Sequence, residues 1–203
     1  MKILKYKDEK EWLEDRFGRV TGKKAGGLVS KRNKSVYLKG FYELLAERIA
    51  LPPTEENVMF RGHRLEEEAI DLFTEITGKK VIKDLVMFCR DDNENIAYSP
   101  DGYMQNEVID EDVEVKCLNS ADFIQIYLSK EIPKEFKYQN IQAFLVNDDL
   151  KVRYWVFYDP RMPVSIFWIE SKREDVQKDI DEYLQLEREV LAKIDLLEKE
   201  FTF

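Results

Sequence analysis

The run A-Y-S-P-D-G-Y-M-Q-N-E-V-I-D-E-D-V-E-V-K-C, residues 97–117, constrains the fold more than any other stretch. In an extended chain, residues two apart share a face. Glu114 and Lys116 therefore project together, while Val113, Val115 and Cys117 form an apolar stripe on the opposite side. Residues 106–112 are polar enough to make the turn of a hairpin, which brings Asp101 back beside Glu114. Two carboxylates converging with a lysine line a site with oxygen for a hard divalent cation and place a cationic group next to it. That donor set suits metal-assisted phosphodiester hydrolysis. Taken alone, an acidic hairpin with one lysine is also the ordinary pattern of a solvated sheet edge. The S-P-D-G turn before it and the apolar alternation after it favour a site.

A chain of 203 residues builds one substantial core, so a single domain over 1–203 is expected. With 44% apolar and 36% charged residues, the composition is that of a soluble globular protein. The start of the chain lacks an apolar signal region, and no apolar run approaches the ~18 residues that span a bilayer. A cytoplasmic protein with no membrane association is expected. Two cysteines, Cys89 and Cys117, give neither a disulfide framework nor a zinc or iron–sulfur cluster. His63 is the sole histidine, which disfavours a His-based metal site or a Ser-His-Asp triad.

The net charge of −9 argues against nonspecific coating of nucleic acid. The basic residues are nevertheless uneven: Arg16, Arg19, Lys23, Lys24, Lys31, Arg32 and Lys34 fall within nineteen residues. They read either as a solvated basic face or as the wall of a local channel.

Taken in order, the pattern predicts a helix over 7–17 with Trp12, Leu13 and Phe17 inward, then a turn at Gly18. Thr21 is placed to N-cap a helix over 23–29. A helix N-terminus flanked by Arg16, Lys23 and Lys24 is a natural seat for phosphate, although a cap that serves only its helix is the commoner reason for a Thr-Gly pair. A further helix is expected over 35–50, stopped by Pro52-Pro53. The next, over 60–77, ends at Gly78 and carries Leu65, Ala69, Leu72, Phe73 and Ile76 as its core stripe. Glu66 lies about 70° from the centre of that stripe, at the buried boundary, whereas Glu67 and Glu68 point to solvent. Strands follow at 81–89, 96–99, 102–105 and 113–117. Helices are expected over 120–128 and from Pro133 to about 146, then strands at 151–158 and 164–169. A long helix over 173–201 has Ile180, Leu184, Leu191, Ile194 and Phe201 on one face and charge elsewhere.

Five segments in this order resemble the lambda-type alkaline exonucleases, the phage recombination branch of the PD-(D/E)xK nuclease superfamily. They are R-F-G-R-V-T-G (16–22), R-G-H-R-L-E-E-E-A (61–69), S-P-D-G (99–102), E-V-K (114–116) and F-Y-D-P-R-M (157–162). The resemblance implies an α/β (α+β) fold, a mixed central sheet flanked by helices around a restriction-endonuclease-like PD-(D/E)xK core. It implies a Mg2+-dependent enzyme, with Mn2+ as a substitute, that digests linear double-stranded DNA from 5′ ends to leave 3′ single-stranded tails. By that resemblance Asp101, Glu114 and the Val115 carbonyl hold the metal, Lys116 positions or activates the attacking water, and Glu66 helps with a second metal. Arg16 resembles the arginine that grips the 5′-phosphate, within a basic DNA-binding set of Arg16, Arg19, Thr21, Lys23 and Lys24. Lys23 stands where the family has a serine beside the terminal phosphate. The family's glutamine in the helix after E-x-K falls on Gln139 by counting and on Gln142 by the helical wheel. A ring-shaped homotrimer and a single-strand annealing protein as partner are also implied.

Two other readings stay open at this point. One is a structure-selective or restriction-type endonuclease on the same metal site. The other is a DNA-binding scaffold that keeps the fold without catalysis, which the intact Asp101, Glu114 and Lys116 set disfavours.

Overall fold

The computed structural model describes residues 1–30, Leu38, Gly40, Phe41, Leu44, Arg48, 60–118 and 120–201. Lys31, Arg32, Lys34, most of the helix expected over 35–50 and its Pro52-Pro53 stop lie outside the described residues.

The strands are β1 (Lys2–Lys5), β2 (Val86–Cys89), β3 (Ala97–Tyr98), β4 (Gly102–Met104), β5 (Glu111–Cys117), β6 (Val152–Tyr158) and β7 (Ile166–Lys172). They form two sheets, one ordered β1-β2-β3 and the other β4-β5-β6-β7. In the second, β5 runs parallel to β6 and the other neighbours are antiparallel, so the sheet is mixed. Isolated bridges, Val20 to Ile96 and Ile82 to Tyr103, attach the flanking chain to these strands. The helices are α1 (Glu9–Asp15), α2 (Gly22–Ala25), α3 (Phe60–Thr77), α4 (Ser120–Ser129), α5 (Lys137–Val146, entered through a 3-10 turn at Lys134–Phe136) and α6 (Arg173–Phe201).

β6 reads V-R-Y-W-V-F-Y, apolar on both sides of its alternation, the pattern of a strand covered on both faces. On one face Val113, Val115, Tyr154, Val156 and Tyr158 pack with Ala69, Ile70 and Phe73 of α3. On the other, Trp155, Phe157 and Phe167 pack with Phe123 and Ile126 of α4. The largest cluster joins α5 and α6 to Val86, Phe88, Ile96, Tyr98, Phe41 and Leu44. No helix among the described residues is long and apolar enough to cross a membrane.

Several expectations shift. α2 is one turn, because Gly26 and Gly27 follow it at once and glycine is a poor helix former. Thr21 sits extended at its N-cap (φ −115°, ψ 165°), but its side chain makes no capping bond. The first of the predicted central strands begins at Val86 rather than 81. Ile76 of α3 is 54% exposed and Phe201 of α6 is 57% exposed, each in the last turn of its helix. Cys117, placed on the apolar stripe with Val113 and Val115, is exposed at the end of β5. The inner face of α6 also holds Tyr183, Val190 and Glu187, the last only 1% exposed. Glu187 lies on the i, i+3, i+4 repeat of Ile180, Leu184 and Leu191, so helix geometry turns it inward despite its charge.

Candidate active site

Gly102 pairs with Val113 in the β4–β5 hairpin, which leaves Asp101 just before the first paired residue. Its N–H donates to the Val113 carbonyl at 3.1 Å. Its Oδ2 accepts the Val115 N–H at 2.7 Å, which settles the acid beside the E-V-K triplet. Alternation then aims Asp112, Glu114 and Lys116 to one face. Lys116 Nζ lies 2.6 Å from Glu114 Oε1, and 5.2 and 5.5 Å from the rings of Phe136 and Trp155.

Gln139 of α5 donates to the same Glu114 oxygen. Its approach depends on Gly22, where a Cβ would meet the Gln139 Cα at 3.0 Å and Cγ at 3.1 Å. The same close packing sets exposed Lys23 at the cavity wall. Arg16 lies across the Trp12 ring, 4.3 Å from its centroid. Trp12 is itself fixed by its Nε1, which donates to Ser99 Oγ of the S-P-D-G turn at 3.1 Å. Glu66 of α3 completes the wall. Trp12, Arg16, Lys23, Glu66, Asp101, Glu114, Lys116 and Gln139 line one cavity of about 300 Å³.

The charges are strongly coupled. Burial first, then the carboxylates of Glu114 and Glu66, push the Asp101 pKa up to about 8, against Lys116 and the Val115 N–H. Burial also opposes ionisation of Glu114, but Lys116, Arg153 and Lys23 outweigh it and hold that pKa below the ordinary value. Burial lowers the Arg16 pKa while the charges of Glu114 and Asp101 raise it. The site thus pushes the two acids apart, Asp101 upward and Glu114 downward.

The hairpin brings Asp101, Glu114 and Lys116 together with Gln139, Glu66, Arg16 and Lys23, and it does not bring the other named residues. Gln142 is buried, and its Nε2 donates to Val20 O at 3.3 Å, Ala97 O at 3.4 Å and Glu187 Oε2 at 3.2 Å. Arg19 braces the chain instead, through Asp15 O at 2.8 Å, Asp15 Oδ1 at 3.0 Å and Glu94 O at 2.6 Å. Thr21 is 2% exposed, and neither it nor Lys24 lines the cavity. Sequence reasoning missed Arg153, which lines the cavity floor and donates to Glu114 Oε2. Its signal was a charge inside an otherwise apolar strand, which demands a buried partner.

Residues 11–147 match the YqaJ-like viral recombinase domain. The chain belongs to that family. Its fold is that of the alkaline exonuclease LHK-Exo from Laribacter hongkongensis, with a TM-score of 0.76 at 21% identity over 94% of this chain and 97% of the other. The same enzyme in complex with dAMP aligns with a TM-score of 0.73 at 22% identity, again over 94% and 97%. No curated protein sequence matches.

Within the YqaJ-like domain the donor set fits a hard cation. Among the described residues no three His, Cys, Asp or Glu side chains stand together as a ready metal cage. Asp101 and Glu114 nevertheless repel each other through one shared space, and Glu66 adds to that repulsion. A divalent cation between carboxylate oxygens removes such repulsion, and oxygen donors are what Mg2+ takes.

Proposed function

We propose that this YqaJ-like protein is a divalent-metal-dependent 5′→3′ exonuclease that digests linear duplex DNA and leaves 3′ single-stranded tails for recombination by annealing. The supporting observation is the convergence of Asp101, Glu114 and Lys116 with Gln139 on one cavity whose wall carries Arg16 and Lys23. In this reading Asp101, Glu114 and the Val115 carbonyl hold Mg2+, with Mn2+ as a substitute, and Glu66 assists a second ion. When bound, the metal polarises the scissile phosphate and lowers the pKa of a water.

The side chains divide the remaining work. Lys116, released from Glu114, orients the water and stabilises the developing charge. Gln139 keeps the Glu114 carboxylate in place. Arg16, stiffened against Trp12, presents a planar fork to a terminal 5′-phosphate, and Lys23 adds a point charge. A cytoplasmic, ring-shaped homotrimer working with a single-strand annealing protein belongs to the same proposal.

The test is digestion of linear duplex carrying one 5′-phosphorylated end, with Mg2+ and with EDTA, beside covalently closed circles. The expected result is Mg2+-dependent loss of the 5′-phosphorylated strand with circles intact. Cleavage of circles would identify an endonuclease, and no cleavage of either substrate would contradict a nuclease.

A further inference from the structure

Beside Glu114 lie two buried charges, Arg153 and Asp112, that the proposed chemistry does not use. Arg153 of β6 pairs in register with Asp112 of β5, so both point to the face that carries Glu114. Exposure is 1% for Arg153, 0% for Asp112 and 3% for Glu114. Arg153 Nη2 donates to Glu114 Oε2, while Nη1 lies 3.4 Å from Gln139 O and 3.6 Å from Asp112 Oδ2. At 3.6 Å Asp112 acts on Arg153 through charge, and the Tyr98 hydroxyl is the other polar group that faces its carboxylate.

The two oxygens of Glu114 are therefore divided. Oε2 belongs to Arg153, and Oε1 belongs to Lys116 and Gln139. The two cationic donors differ in freedom. The guanidinium of Arg153 is walled in by Tyr98 and Trp155, 5.6 and 5.3 Å from their ring centroids. The Lys116 side chain is 16% exposed, ends in the cavity and has a flexible four-carbon stem. A cation that needs a Glu114 oxygen takes it from the donor that can move.

We propose that Arg153, backed by Asp112, is a positioning residue that clamps Oε2 of Glu114 and leaves Oε1 as the oxygen given to the divalent cation, with Lys116 as the donor that yields. This inference rests on the metal-dependent reading above. Deleting Arg153 alone would also make the site more negative, which by itself tightens cation binding. The charge-balanced pair Asp112→Asn with Arg153→Met separates position from charge.

The experiment is Mn2+ binding without DNA, followed by the electron paramagnetic resonance signal of free Mn2+, with thermal unfolding as the check on fold. The double variant is expected to bind about 10- to 100-fold more weakly than the parent, the range for lost partners of metal ligands. Arg153→Lys, which keeps the charge and loses the fork, is expected to show a smaller loss. Lys116→Ala is expected to bind as tightly as the parent or more tightly.

A folded double variant with parent affinity overturns the inference, as does a Lys116→Ala loss as large as that of the double variant. If the double variant does not fold, Arg153→Lys decides: weaker binding supports the clamp and parent affinity overturns it. A parent chain that binds no Mn2+ overturns the metal-dependent reading together with the clamp. A parent that binds beside unchanged variants overturns the clamp alone.

Discussion

Asp101 and Val115 are joined by a bond of 2.7 Å from the Val115 N–H to the Asp101 carboxylate. That contact ties the acid of the S-P-D-G turn to the residue lying between Glu114 and Lys116. Because the donor is backbone, the β4–β5 register sets the point at which the Asp101 carboxylate is held. A slip of one residue would turn Glu114 and Lys116 to the opposite face.

Glu114→Gln and Lys116→Ala are each expected to lower Mg2+-dependent digestion of linear duplex by about 10²–10³-fold or more, the cost of losing a preorganised charge at the reacting centre. Cooperative thermal unfolding should persist in both. Digestion at the parent rate in either variant would remove that residue from the proposed mechanism.

Arg16→Ala is expected to act on end selection. Losing a charge-assisted contact worth about 1.5–3 kcal/mol corresponds to a fall of about tenfold or more in preference for 5′-phosphorylated over 5′-hydroxyl ends. Competition between the two substrates measures it. An unchanged ratio would contradict a phosphate-binding Arg16.

The two glutamines of α5 should separate by phenotype. Gln139→Ala is expected to cut turnover with little change in Tm, since Gln139 reaches Glu114 at the cavity. Gln142→Leu is expected to cost about 1–3 kcal/mol of stability by stranding buried acceptors, at about 2–4 °C of Tm per kcal/mol. Calorimetry and single-turnover digestion on both variants check the split, and the reverse pattern would contradict it.

Glu187 predicts a pH dependence of stability. Burial pushes its pKa up to about 8 from 4.5, against the Gln142 hydrogen bond and the charge of Arg90. The folded state therefore keeps a proton that the unfolded state releases. Its contribution is complete below pH 4.5 and is lost as pH rises towards 8. Within that window the loss approaches about 1.4 kcal/mol per pH unit. Because burial also raises the pKa of Asp101 and of Asp112, the measurement is the difference between parent and Glu187→Gln in denaturant unfolding from pH 5 to 9. The variant should gain on the parent as pH rises to about 8 and then run level. A pH-independent difference would contradict the buried, protonated carboxyl.

Local pattern carried the hairpin, because Asp101, Glu114 and Lys116 are placed by a turn and a period of two. It carried α3 to Gly78, whose φ of 70° is the left-handed end of a helix, and α6 to its bounds at Arg173–Phe201. It did not carry what depends on pairing between distant strands. The partnership of Arg153 with Asp112 and Glu114 exists only because β5 and β6 lie side by side and parallel, with Glu114 and Arg153 39 positions apart in sequence. Charge also misled. Arg19 counted towards a basic channel but is spent on Asp15 and Glu94, and Glu187, on a helix whose charges were expected away from its apolar face, faces the core. Which of Gln139 and Gln142 reaches Glu114 depends on the direction of α5 relative to β5, which helical periodicity alone does not contain.

The most direct measurement is anomalous diffraction from crystals of the protein soaked in Mn2+. The expected result is a peak between the carboxylates of Asp101 and Glu114, with Lys116 Nζ moved off Glu114 Oε1. Bound Mn2+ lying elsewhere, with Asp101 and Glu114 free of it, would contradict the account.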